Sequence, residues 1–100
     1  MTSISVRKET SLKGGRYVAK VDGAEGEAEL VFSIRSPVLI SADHTGAPDS
    51  LRGTGAAGAL VDYMINDARS NGFKIIPLCP YVLAQYKRHP EWEDVMTPGP

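Results

Sequence analysis

Charge of one sign is in short supply in this sequence. Eleven basic residues stand against twelve acidic ones, for a net charge of −1, so the basic surplus that draws a protein to nucleic acid is absent and no nucleic-acid partner is expected. Long apolar runs are missing too. None approaches the ~18–20 residues that cross a bilayer as a helix, so no membrane partner is expected. Cysteine is limited to Cys79, which excludes an internal disulfide. With no basic–apolar–small leader at the N-terminus, the expected compartment is a reducing cytoplasm. One cysteine and two histidines, with neither HxxxH nor CxxC spacing, give no recognisable ligand set, so no metal is expected. What is present is ordinary for a folded chain: 100 residues, 42% apolar and 23% charged. That size and composition suit one domain over residues 1–100 with a single core.

The hydrophobic period changes halfway along the chain. Ile4-Ser5-Val6-Arg7 alternates with period two, the pattern of a half-buried strand. Tyr17–Val21, Ala28–Ile34 and Val38–Ala42 follow as strands, separated by Lys13-Gly14-Gly15, the hairpin signal Asp22-Gly23 and Ser36-Pro37. From Gly55 to Asn71 apolar residues fall at 57, 60, 61, 64, 65 and 68, an amphipathic helix, with Gly72 as its left-handed terminator. The apolar run Phe73–Cys79 predicts a central strand parallel to the one before the helix. A second helix starts at Pro80 and ends before Pro90, and the polar tail from Glu91 to Pro100 is expected to be loose at its end, over 96–100. The order β-β-β-β-α-β-α predicts an α/β (α+β) fold with a mixed, mostly antiparallel sheet and one βαβ crossover. Ligands of such sheets bind at the carboxyl ends of the parallel strands, here Ala42–Thr45 and Leu78–Pro80. A small antiparallel sheet can also pair at its edge, so a monomer or a weak homodimer is expected.

Leu51-Arg52-Gly53-Thr54-Gly55-Ala56-Ala57-Gly58 opens the long helix. A helix start offers about four unpaired N–H groups and a partial positive charge, small residues admit a phosphate to them, and Arg52 adds a charge-assisted hydrogen bond. Two readings stand: an anion site for a phosphate or pyrophosphate, or a turn whose glycines serve close helix–sheet packing. The loop is neither GxGxxG nor a P-loop.

These residues resemble the GNAT superfamily of acetyl-CoA-dependent N-acetyltransferases, whose cofactor loop reads Gln/Arg-x-x-Gly-x-Gly/Ala before a helix. Ser50-Leu51-Arg52-Gly53-Thr54-Gly55 fills that frame, with Ser50 at the first position. More narrowly, His44-Thr45, Pro48-Asp49-Ser50-Leu51-Arg52-Gly53, Pro77-Leu78-Cys79-Pro80 and Arg88-His89-Pro90-Glu91 are similar, in order and spacing, to motifs of the small stand-alone members of that superfamily over residues 15 to 95. The resemblance implies a minimal GNAT fold and acetyl-CoA as cofactor. It also implies transfer of acetyl to an amine substrate, small molecule or protein. Leu51, Arg52, Gly53, Thr54, Gly55, Ala56, Ala57, Pro80, Arg88 and His89 would hold the cofactor. In such folds the strands beside the cofactor helix splay apart, and Pro77, which has no N–H, would sit beside that gap. A non-catalytic or weakly catalytic CoA-binding sensor is the alternative, favoured by Gln85 standing where the small members carry an aromatic residue.

Three side chains carry the expected chemistry. Cys79, before a helix start, has a thiol whose pKa such a position lowers, and as a nucleophile it could pair with His44; as packing it is a small buried hydrophobe. His44 suits a general base for an incoming ammonium. Asp43 is a candidate to orient it, although neighbours on a strand point to opposite faces. Tyr86 or Tyr81 would protonate the leaving thiolate, or else each covers the core. His89, in the cluster Lys87-Arg88-His89, either contacts phosphates or complements the helix dipole. The basic residues Arg7, Lys8, Lys13, Arg16 and Lys20 and the acidic run Asp22, Glu25, Glu27 and Glu29 read as solvated faces; the acidic run could also attract an amine. Gly53→Val is expected to abolish cofactor binding while leaving the fold largely intact.

Overall fold

The computed structural model describes residues 3–97. Period-two alternation lays out β1 (Ile4–Thr10), β2 (Gly14–Val21), β3 (Glu27–Ser36) and β4 (Leu39–Gly46) as an antiparallel meander. The helix α1 (Ala56–Asn71) crosses to β5 (Lys74–Pro77), which pairs parallel with β4, and α2 (Pro80–Arg88) follows. The sheet order is β1-β2-β3-β4-β5. The element order and the mixed, mostly antiparallel α+β architecture are those the sequence predicts. Short 3-10 turns lie at Asp49–Leu51 and Pro90–Asp94.

One face of the sheet carries the core. Tyr17, Ala19 and Val21 of β2, Ala28, Leu30 and Phe32 of β3, and Ile40 and Ala42 of β4 pack with Leu60, Val61, Met64, Ile65 and Ala68 of α1. Burying each Leu, Met or Ile contributes about 1.5–3 kcal/mol before the entropy of ordering it. Gly72, at φ 74°, ends α1 with its N–H on the Ala68 carbonyl, as the Asn-Gly pair predicts. The opposite face is a lattice of exposed ion pairs, Arg7 with Glu9 and Glu27, and Arg16 with Glu9 and Glu29. Lys8 departs from the solvated reading. Alternation along β1 places it with Ile4 and Val6 on the α1 side, where its ammonium meets Asp67 at 2.7 Å and lies 5.4–5.6 Å from the rings of Tyr17, Phe32 and Phe73.

Two expectations are corrected. β5 is the edge strand of the sheet, not a central one. Its far edge is covered instead by the chain after α2: the Ile75 N–H donates to the Val95 carbonyl, the Thr97 N–H donates to the Ile75 carbonyl, and Met96 bridges Ile75. The tail is therefore fixed through Thr97, because Trp92, Val95 and Met96, spaced by three and one, all turn inward and are buried. The rest of the tail, 98–100, lies outside the described residues. Among the described residues no helix is long and apolar enough to cross a membrane.

Candidate active site

The site arises from a mismatch in strand length. β4 runs on to Gly46, whereas β5 stops at Pro77, opposite Ala42. The chain then turns through Leu78, and the Cys79 N–H donates to the Ala42 carbonyl at 2.8 Å. Beyond that bond, 44–46 pair with β3 on one side; on the other side no strand of the described residues pairs with them, and the Thr45 amide faces the Cys79 sulphur. The splayed strands expected beside Pro77 are therefore not found, since Pro77 is paired opposite Ala42; a gap opens only past the Cys79–Ala42 bond, where β4 outruns its neighbour.

A bulge aims the side chains along that edge. Ala42 opposes Phe32 and His44 opposes Val31, so Asp43 is the extra residue, and a bulge re-aims its neighbours. Asp43 and His44 consequently share the face turned away from α1, contrary to the simple alternation expected for adjacent residues. Thr45, opposite Leu30, faces the α1 side. The Asp43 carboxylate accepts hydrogen bonds from the hydroxyls of Ser33 and Ser41 and has no hydrogen bond to His44. The imidazole of His44 is exposed and lies over Gly46, where an added Cβ would come within 3.2 Å of its Nε2.

Thr45, rather than His44, meets the cysteine: its Oγ1 is 3.3 Å from the Cys79 Sγ. Cys79 is 3% exposed and occupies the N-cap position of α2, with Pro80 beginning the helix. Burial pushes its pKa up, but the Thr45 hydroxyl and the backbone amides of Val82, Tyr81 and Thr45 outweigh that and hold the thiol below its ordinary range. The sulphur has no cap hydrogen bond of ordinary geometry; the Val82 and Tyr81 amides act from the start of α2 and the Thr45 amide from β4.

The glycine loop lies between β4 and α1. Leu51 is buried and anchors it, and its carbonyl accepts hydrogen bonds from the Thr54 hydroxyl at 2.6 Å and the Thr54 N–H at 3.2 Å. The Leu51 N–H also donates to the Pro48 carbonyl at 3.0 Å, so neither its side chain nor its amide is left for a ligand. Ser50, the unusual first residue of the frame, bonds the Glu25 carbonyl at 2.6 Å and ties the loop to the β2–β3 turn. Gly53 and Gly55 adopt φ of 79° and 85°, and no atom lies within 4 Å of where a Gly53 Cβ would sit. A Gly55 Cβ, nearer α1, would meet the Ile4 Cδ1 at 4.0 Å. At the positive φ of Gly53, the Cβ of Gly53→Val costs about 1–2 kcal/mol of backbone strain, a cost that a largely intact fold can carry. In the first turn, the Ala56 N–H donates to the Thr54 hydroxyl at 3.3 Å, and the Ala59 N–H to the Gly55 carbonyl at 3.0 Å. The amides of Ala57 and Gly58 have no protein acceptor among the described residues. The Arg52 guanidinium is exposed and pairs loosely with Asp49 at 3.2 Å, a contact worth little in water and easily exchanged for a phosphate.

Other expected residues fall elsewhere. The Tyr81 hydroxyl sits beside the first turn of α1, 4.0 Å from where a Gly58 Cβ would lie. Tyr86 is seven residues on from Cys79, about 10 Å along the helix axis, in a hollow with Pro77, Leu83, Met96 and Thr97. Of the two tyrosines weighed as acid, Tyr81 is the one near the loop. Arg88 and His89 end α2, and the turn that follows reaches the far end of α1, where Arg69 binds Asp94 through two bonds of 2.9 Å. The His89 Nδ1 is 2.9 Å from Glu91, and its ring stacks on Trp92 with 4.4 Å between centroids. The length of α2 thus separates Arg88 and His89 from the loop they were expected to assist. The expected chemistry gave no role to Thr45, while Gly58 closes the Arg52–Gly58 loop expected to hold a pyrophosphate. The strand alternation that turns Thr45 to the α1 side, where Cys79 caps α2, was the available signal. Among the described residues no cluster of three His, Cys, Asp or Glu side chains could hold a metal ion.

The family model described as GCN5-related N-acetyl-transferase matches residues 16–95. No curated protein matches the chain.

Proposed function

The chain belongs to the GCN5-related N-acetyltransferase family, and from that premise we propose that it transfers acetyl from acetyl-CoA to an amine, with the pyrophosphate held at the start of α1. The observation that carries this reading is the loop itself: it turns through two left-handed glycines, with open space around the Cβ position of Gly53, just before the free amides of α1. The residues present fit the group. The Ala57 and Gly58 amides and the Arg52 guanidinium supply donors for the phosphates, and the edge of 44–46, which no strand of the described residues pairs with, can take an extended arm.

Acetyl-CoA, when bound, supplies the acetyl group as a thioester. The chain's own residues position the partners and manage protons. His44, at the rim of the gap, accepts the proton that the attacking ammonium gives up. Thr45 and Cys79 stand at the inner end of the same gap, where the hydroxyl and thiol share one proton between oxygen and sulphur. Tyr81, whose hydroxyl lies beside Gly58, stands at the phosphate end of the cofactor. Rate enhancement then rests chiefly on holding the two reactants together.

The test is a thermal melt with acetyl-CoA, against dephospho-CoA and ATP. A ligand at 100 times its Kd stabilises by about 2.7 kcal/mol, roughly 10 °C or more in a domain of this size. A shift specific to acetyl-CoA, with thiol release on adding amines, is the expected result. No shift at millimolar acetyl-CoA would overturn the reading.

A further inference from the structure

The hollow beside α2 takes no part in holding the cofactor. Its volume is about 290 Å³, and it is lined by Pro77, Leu83, Tyr86, Met96 and Thr97. Among the described residues no charged side chain lines it; their polar side-chain atoms there are the Tyr86 phenol and the Thr97 hydroxyl. Leu83 is 38% exposed, one of few large apolar side chains left open to water.

Its position follows from the chain. Pro77 ends β5 two residues before Cys79. Leu83 and Tyr86 come four and seven residues after Cys79, the spacing of a single helix stripe, so they stand about 6 and 10 Å along the axis from it. The hollow is therefore one short linker away from the thiol end of the gap.

We propose that this hollow seats the body of the acetyl acceptor, and that the acceptor is a primary amine joined by a short alkyl linker to an aryl or branched-alkyl group. The inference rests on the acetyltransferase reading. The volume lies near the lower bound of ligand pockets, about 300 Å³, which suits one ring or a branched chain and not a folded peptide. A polyamine would desolvate its second ammonium against a wall with no carboxylate, an uncompensated cost. The Tyr86 ring offers an aromatic surface to such a group, which makes Tyr86 an acceptor-binding residue, not the acid for the leaving thiolate.

The experiment uses the full chain, 2-phenylethylamine as apolar probe, ethanolamine and putrescine as polar ones, and two variants: Leu83→Asp, at an exposed position, and Thr97→Leu, which fills the hollow. Thiol release from acetyl-CoA should give a KM for 2-phenylethylamine roughly tenfold or more below that for ethanolamine, the discrimination an apolar pocket supplies. In either folded variant that ratio should fall to near one, with the melting shift on acetyl-CoA unchanged. Equal KM values in the parent chain, or a ratio preserved in a folded variant, would overturn the proposal. Binding of 2-phenylethylamine without cofactor, read from the methyl resonances of Leu83 and Thr97, separates the two claims. If acetyl-CoA leaves the melt unmoved, the acetyltransferase reading falls alone, and perturbed methyls still support an apolar amine site. Unperturbed methyls at millimolar probe would overturn the hollow whatever the cofactor does.

Discussion

Gly58→Ala should move stability and cofactor affinity in opposite directions. Gly58 is the third residue of α1, its φ is not positive, and an added Cβ would meet only the Tyr81 hydroxyl at 4.0 Å, an ordinary contact. Alanine is therefore accommodated without strain, and replacing a helical glycine gains about 0.5–1 kcal/mol. At roughly 4–8 °C per kcal/mol for a domain of this size, the melting temperature rises by about 2–8 °C. The same methyl stands where a phosphate would approach the free Gly58 amide. Losing one hydrogen bond to a charged group costs about 1.5–3 kcal/mol, a roughly tenfold to hundredfold weaker affinity for acetyl-CoA. Circular-dichroism melts over a series of acetyl-CoA concentrations read both quantities on one sample. A raised melting temperature with unchanged affinity would remove the phosphate from the first turn of α1. A lowered melting temperature would refute the packing on which the substitution was chosen.

Thr45→Val should raise the pKa of Cys79, because it removes a hydroxyl that stabilises the thiolate; the ultraviolet thiolate absorbance against pH, with Cys79→Ser as blank, reads the shift, and an unmoved curve would deny Thr45 that role. Asp67→Ala should cost about 2–3 kcal/mol, leaving the buried Tyr17 hydroxyl and the Lys8 ammonium without their shared acceptor. Burial raises the Asp67 pKa, but the bonds from Lys8, Tyr17 and Asn71 outweigh it and hold the carboxyl below the aspartate range. Its stabilisation is thus full above about pH 4 and is lost as pH falls through the folded value. Melts from pH 7 downward should show the parent and Asp67→Asn converging in acid, and a constant gap would refute the assignment. Trp92→Ala should cost about 3–5 kcal/mol, measured by denaturant unfolding; a cost under about 1 kcal/mol would mean the segment after α2 is not part of the core.

The element order was legible because each segment speaks for itself. Ile4-Ser5-Val6 alternates, residues 60, 61, 64, 65 and 68 share a helix face, Asn71-Gly72 stops it, and Pro80 begins the next. The loop was legible for the same local reason: two glycines before a run of small residues leave few other conformations. What stayed hidden depends on distant partners. A one-residue bulge at Asp43 is a register shift against Val31 and Phe32, and nothing in Ala42-Asp43-His44 alone marks it; yet it decides that His44 faces one side and Thr45 the other. The hydrophobic run of β5 pointed to a central strand because burial on both sides was attributed to strands. Here Val95 and Met96 supply one of those sides from beyond α2. Glu91, Glu93 and Asp94 gave that segment a polar average, which concealed that Trp92, Val95 and Met96 form one inward stripe.

The two ends of α1 are built on different terms. At its C-terminal end, Arg69 holds Asp94 through two bonds, the Lys74 ammonium donates to the Asp94 carbonyl, and Asp67 gathers Lys8, Tyr17 and Asn71. At its N-terminal end, the described contacts are an exposed Arg52–Asp49 pair, two left-handed glycines and a strand edge that no other strand pairs with. Ordering side-chain interactions are thus concentrated at the C-terminal end of α1, and the N-terminal end carries few. The N-terminal end keeps its shape through three anchors that point away from the open space: Leu51 in the core, Ser50 on the Glu25 carbonyl and Cys79 on the Ala42 carbonyl. Those anchors fix the backbone without occupying the donors that face outward. The free amides of Ala57 and Gly58 can therefore be both rigid and unsatisfied by protein, which is the condition for binding an anion without first breaking a bond.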